Sequence, residues 1–316
     1  MGKRDPFGAV RISAAAPALL GESPLWHAAE QALYYCDIPG RTLHRFEPLS
    51  GQRAQWTFET ELASLAPLPG GALLLAMRDG LWRFEPRVNA PAGTQTHTRT
   101  RLAAPPYDPT HERFHDGKCD PQGRFWVGTI YEPRDPPLAS LHCYANGALR
   151  RMADGITVSN GLAWSPDGAT LYWSDTTVHT IYAFEVDPVR GTISNRRVFA
   201  RFPLKVPGAA SNPLEAYGGR PDGAAVDVEG CYWVAMFEGQ RLLRLSPQGE
   251  VIRSVPLPVR CPTMPCFGGP TLQTLFITTA RAGRPAAELA EQPHAGAVLM
   301  LDVDVAGLPA NFAAAA

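Results

Sequence analysis

Apolar and polar positions alternate along this chain in short runs, and the clearest of them is ITVSNGLAWSPDGATLYWSDT, Ile156 to Thr176. A short apolar strand, Gly161 to Trp164, is followed by Ser165-Pro166-Asp167-Gly168 and then by a strand of aromatic and aliphatic residues, Thr170 to Ser174. Proline fixes φ at the second turn position and glycine frees it near the end, so this stretch predicts a β-hairpin. Five further copies follow the same pattern. They begin at Gly21 (GESPLWHAAEQALYYCDI), Ala63 (ASLAPLPGGALLLAMR), His115 (HDGKCDPQGRFWVGTI), Pro221 (PDGAAVDVEGCYWVAMF) and Pro262 (PTMPCFGGPTLQTLFITTA), and most are followed by further strand-like runs. Units repeated every 40 to 60 residues or so, each with strands for one four-stranded sheet, predict an all-β six-bladed β-propeller. One blade cannot bury both of its faces alone, so residues 1–316 are expected to form a single domain, frayed at about 1–10 and 310–316.

Three departures from the period mark loops on the propeller faces. Arg87 to Glu112 lengthens the approach to the third repeat, and Phe202 to Arg220 the approach to the fifth. Arg281 to Ala295 interrupts the sixth and reads as a tolerated surface insertion, in which AAELAEQ near Ala286 has the makings of one helical turn. No other segment carries a helical apolar stripe.

Composition narrows the function classes. The 316 residues are 45% hydrophobic and 19% charged with a formal net charge of -1, which describes a globular chain without the basic footprint of a nucleic-acid or anionic-membrane binder. Asp5, Pro6 and Arg11 interrupt the apolar start, so no signal-peptide core emerges, and a cytoplasmic protein is expected. Six scattered cysteines lack zinc-ribbon or redox spacing and read as buried free thiols, including the close pair Cys261 and Cys266.

The starts of the innermost strands carry the candidate chemistry, because in a propeller they converge on one axial funnel. Polar residues stand there in four repeats: Glu22, the run Arg113-Phe114-His115-Asp116, Asn160 and Asp222. Singly, an Asp in Pro-Asp-Gly or an Asn before Gly is a turn former. Their shared phase in three repeats is what a turn does not require. Glu22, Asn160 and Asp222 bring together two carboxylates and one amide oxygen, hard donors that suit Ca²⁺, Mg²⁺ or Mn²⁺. No G-x-S-x-G, H-E-x-x-H or Gly-rich phosphate loop competes.

The segments GESPLW, RFHDGKCDPQGRFWVGT, SNGLAWSPDG with LYWSD, and RPDGAAVDVEGCYWVA followed by CFGG resemble the senescence marker protein, gluconolactonase and regucalcin (luciferin-regenerating enzyme-like) family of six-bladed propellers, from about Gly21 to Ala280. The resemblance implies a metal-dependent lactonase that opens a sugar lactone to the aldonic acid. It implies Glu22, Asn160 and Asp222 as ligands of one divalent ion (Ca²⁺, Mg²⁺, Mn²⁺ or Zn²⁺), and Arg113 and Asp116 as substrate-binding residues, Asp116 being an acid near the metal but not one of its ligands. His115 stands where the family commonly has Asn; it touches the metal, holds substrate or fills space. Asp222 is expected to be the general base, with Glu22 the competing candidate. Small-molecule lactone is the expected partner, without nucleic acid or membrane, in a monomer or homodimer. The alternatives are a non-catalytic calcium- or ligand-binding propeller and a phosphotriesterase-like hydrolase.

Overall fold

The computed structural model describes residues 8–87, 97–205 and 217–314. Among the described residues, twenty-four strands form six four-stranded antiparallel sheets arranged as a β-propeller, with the first strand of each repeat innermost. The first blade runs β2 (Gly21–His27), β3 (Ala32–Asp37), β4 (Thr42–Phe46), β5 (Arg53–Thr57), and the second β6 (Leu62–Pro67), β7 (Leu73–Met77), β8 (Gly80–Pro86), β9 (His97–Ala103). The third holds β10 (Glu112–Cys119), β11 (Phe125–Tyr131), β12 (Ala139–Ala145) and β13 (Ala148–Ile156), and the fourth β14 (Ser159–Trp164), β15 (Thr170–Asp175), β16 (Thr180–Asp187) and β17 (Thr192–Arg201). In the fifth, β18 (Arg220–Val226), β19 (Tyr232–Phe237), β20 (Arg241–Leu245) and β21 (Val251–Pro256) follow one another.

The sixth blade is a composite. Its β22 (Pro262–Gly268), β23 (Thr274–Thr279) and β24 (Leu299–Asp302) come from the end of the chain, and its outermost strand is the N-terminal β1 (Arg11–Ile12). Arg11 pairs with Met300 and Ile12 with Leu299, while Arg11 also forms an ion pair with Asp302 at 2.6 Å. This pairing closes the ring and covers the edge of β24. The repeat pattern alone does not reveal it, because two exposed residues carry no hydrophobic signature.

Burial explains the strand order. All seven residues of β2 and all six of β3 are buried, whereas outer β5 alternates exposed and buried positions. Aromatic rings bridge neighbouring blades: Trp26 stacks on Phe276 at 5.4 Å, Trp126 meets Trp164 at 6.1 Å and Tyr172 meets Tyr232 at 5.0 Å. Two hairpins share a polar clasp. Asp120 accepts from the Trp126 indole N–H (3.0 Å) and is paired with Arg124, and Asp227 accepts from that of Trp233 (2.9 Å) and is paired with Arg244.

The insertions have distinct fates. From the first, His97–Ala103 forms β9, completing the second blade; its exposed, Thr- and Arg-rich alternation disguises it as loop. Most of the second, 206–216, lies outside the described residues. The third contains helix α1 (Ala286–Glu291), the one turn anticipated, and Arg284 and Glu288 that contact neighbouring loops. The expected fraying from residue 310 is also not what the described tail does. Ala313 is buried and its N–H donates to the Pro67 carbonyl at 2.8 Å, while Ala314 bonds Gly123. No cysteine is disulfide-bonded; five are buried and Cys266 is partly so. Among the described residues no helix is long and apolar enough to cross a membrane.

Candidate metal centre and substrate funnel

Every innermost strand breaks register near its start. The irregularities fall between Glu22 and Leu25, Leu62 and Ser64, Phe114 and Gly117, Asn160 and Ala163, Pro221 and Ala224, and Pro262 and Met264. A bulge bends the strand and re-aims side chains, so the same local device in each blade turns Glu22, His115, Asn160 and Asp222 toward one region. Gly161, at φ 63°, is needed in that device. A side chain there would run into the Tyr232 hydroxyl and Ser174 Oγ.

Ligand atoms of Glu22, His115 and Asp222 lie within 4.8 Å of one another, and all three residues are buried. Asn160 is also buried; its Nδ2 donates to Thr176 Oγ1 (2.8 Å), which in turn donates to the Pro221 carbonyl (2.8 Å), one residue before Asp222. This chain fixes which way the amide points. Its Oδ1 is left buried with no hydrogen-bond partner among the described residues. A buried oxygen without a donor is costly, and this one belongs to the residue whose phase matches the two carboxylates.

The electrostatics match a cation site. Burial raises the Glu22 carboxyl well above its ordinary range, and the charges of Asp222 and Asp116 push it further. Asp222 is likewise raised well above its usual range by burial, with Asp116 adding to the shift and the nearby Arg220 guanidinium opposing it. Two buried carboxylates that repel each other, beside an orphaned amide oxygen, fit one hard divalent ion.

Around this set the remaining predicted residues take different positions. Asp116 is raised by burial, against the pull of Lys118 and of backbone N–H groups including that of Leu162, which donates to Asp116 Oδ2 at 2.8 Å. It thereby ties the third blade to the strand that carries Asn160. Arg113 Nε lies 3.4 Å from Glu132, which also pairs with Arg78; Arg78 pairs with Glu61, so two guanidiniums face two carboxylates. His115 is held well below its ordinary pKa by burial, then by Arg113 and Arg134. Its Nδ1 is 3.4 Å from Arg113 Nη1, a contact in which arginine can only be the donor.

Sequence reasoning missed Thr176 and Lys118. Thr176 sits in the motif but looks like any strand-end threonine. Lys118 is buried, and its Nζ donates to the Ala224 carbonyl at 2.7 Å. A cavity of about 380 Å³ lies at the opposite ends of the inner strands, lined by Lys118, Trp26, Trp164, Phe267 and Phe312 among others. Its lining contains none of Glu22, His115, Asn160 and Asp222.

Comparison with known proteins agrees with this architecture. Residues 20–281 match the SMP-30/gluconolactonase/LRE-like region. A 6-deoxy-6-sulfogluconolactonase of Pseudomonas putida is 41% identical over 92% of this chain and 94% of its own length. Regucalcin of Oryctolagus cuniculus is 31% identical, over 92% of this chain and 93% of its own. The crystal structure of a calcium-binding protein, regucalcin, from Agrobacterium tumefaciens superimposes with a TM-score of 0.85 at 26% identity, covering 98% of both chains. With the family model matched over residues 20–281 and a relative 41% identical over 92% of this chain, the protein belongs to the SMP-30/gluconolactonase/LRE-like family.

Proposed function

We propose that the protein is a divalent-metal-dependent hydrolase that opens a sugar lactone to its aldonic acid. The observation that carries the reading is the cluster of Glu22, His115 and Asp222 ligand atoms within 4.8 Å of one another, with the unpartnered Asn160 Oδ1 at the matching bulge of the fourth inner strand. The relative named 6-deoxy-6-sulfogluconolactonase supports the lactone substrate. Glu22, Asn160 and Asp222 would hold the ion, whose Lewis acidity would polarise the lactone carbonyl and favour charge on its oxygen.

The chain's own groups do the rest. Arg113, anchored by Glu132, presents its guanidinium to substrate hydroxyls. The contact of the His115 Nδ1 with Arg113, the residue assigned to substrate hydroxyls, favours the substrate-holding role for His115. Asp116 positions the Asn160 strand through Leu162. As water adds to the carbonyl carbon, an Asp222 oxygen takes its proton; the ring C–O bond then breaks and the proton passes to the departing ring oxygen, which becomes a hydroxyl. Asp222→Asn separates these roles, since the amide keeps an oxygen but cannot accept the proton. Turnover should fall by about 10² to 10⁴ with the ion still bound. A variant that bound the ion and opened lactone at near the parent rate would pass the base role to Glu22.

A calcium-binding protein without turnover is the second reading, favoured by the name of the Agrobacterium structure. Acid release from a sugar lactone separates the two, because a purely binding protein releases none.

A further inference from the structure

A second charged cluster lies at the same ends of the blades as the metal centre. Glu238 follows β19 directly and is buried, and four cations surround it. Lys205 Nζ is 2.9 Å from Glu238 Oε2 and Arg284 Nη1 is 3.1 Å from Oε1; Arg220 and Arg260 stand at 3.7 and 3.8 Å. Arg260 also pairs with Glu288 at 2.9 Å. Arg220 begins β18, Arg260 precedes β22 and Arg284 follows β23, so all three sit where inner strands start or their neighbours end. Arg220 is two residues before Asp222 and its charge is felt there.

The charges do not balance. Four cations meet the two carboxylates Glu238 and Glu288, whereas across the funnel Arg78 and Arg113 meet Glu61 and Glu132 evenly. The Nε–H groups of Arg220, Arg260 and Arg284 are buried and have no partner among the described residues. A structural cluster of partly buried ions normally pairs its charges and its N–H groups, because both are costly to leave unmatched. Glu238 holds the guanidiniums together without neutralising them.

We propose that Arg220, Arg260, Arg284 and Lys205 form a subsite for an oxyanion, a sulfonate or phosphate, carried by the substrate at the end remote from the lactone carbonyl. Guanidinium groups suit this class because their planar N–H pairs match the oxygens of such anions. The assignment rests on the lactonase reading for its substrate, and on the cluster itself for its anion. It gives the segment 281–295, which as sequence reads as a neutral insertion, a role in specificity.

The test is calorimetric titration of the full chain, at fixed pH and salt, with gluconate, 6-phosphogluconate and 6-deoxy-6-sulfogluconate. The charged C6 acids should bind at least about tenfold more tightly than gluconate, as one lost charge-assisted contact is worth about that factor. Arg284→Gln and, as an exposed substitution that spares the fold, Lys205→Gln should each shrink that preference. Which charged acid binds more tightly identifies the anion. Equal binding of all three acids, or a preference unchanged in both variants, overturns the subsite. Because binding is read without turnover, this failure is distinct from that of the lactonase reading, which fails when neither neutral nor charged lactones are opened.

Discussion

Replacing Asp222 with asparagine should stabilise the metal-free protein, the reverse of what loss of a buried polar contact ordinarily does. Asp222 and Glu22 are both buried and both raised in pKa, so the folded state holds their protons more tightly than the unfolded chain does. For a raised carboxyl the sign is definite. From the ordinary value near 4 upward the folded state binds more protons, so stability falls as pH rises through the raised pKa. Uncompensated buried charge costs about 3 to 5 kcal/mol, and Arg220 offsets part of that at Asp222. A gain of about 1 to 3 kcal/mol is therefore expected for Asp222→Asn in chelator at pH 8, or roughly 2 to 6 °C in Tm for a chain of this size. The gain should shrink toward pH 5, where the parent carboxyls take up protons. Saturating divalent ion at about 100 times its Kd adds about 2.7 kcal/mol to the parent and less to the variant, which has lost a ligand charge, so the difference should narrow or reverse. Differential scanning fluorimetry across pH, with and without ion, reads all of this. A variant less stable than the parent in chelator at pH 8 would refute the claim that the two carboxylates repel in a site built for a cation.

His115→Asn should leave the pH–rate profile between pH 6 and 8 unchanged and alter KM among lactones, since burial keeps the ring neutral across that range; loss of an inflection near neutrality in the variant would contradict this. Gly161→Ala should lower stability by about 1 to 3 kcal/mol in thermal melts, because a methyl group at φ 63° meets Tyr232 and Ser174; an unchanged Tm would show that the bulge tolerates a side chain. Deleting residues 1–13 should cost about 3 kcal/mol or more by removing β1 and its bonds to β24, and should expose a sheet edge, so size-exclusion chromatography should show self-association; a monomer of parent stability would mean the sixth blade closes without β1.

The blades and the ligand candidates were legible for one reason: each repeat restates a local pattern, so phase substitutes for distance. Glu22, Asn160 and Asp222 lie far apart in sequence, yet their common place ahead of an apolar strand is the place where each inner strand bulges. Contacts that do not repeat left no such trace. Strand β1 is two exposed residues whose partner lies 287 or more positions away, at Leu299 and Met300. Strand β9 reads as Thr-rich loop because it faces solvent on an outer edge. The Glu238 cluster draws on four separate loops between Lys205 and Arg284, with no motif in any of them. The tilt of the Asn160 amide depends on Thr176, whose role is set by the Pro221 carbonyl in another blade.

The central claim, that Glu22, Asn160 and Asp222 form a catalytic site for a divalent ion, meets its most direct test in acid release. Protein freed of metal by chelator is supplied with a sugar lactone in a pH-stat, and divalent ion is then added. The account predicts a rate at the uncatalysed background before addition and lactone opening after it, with about one ion bound per chain as expected of a single axial site. Equal turnover before and after addition would contradict it.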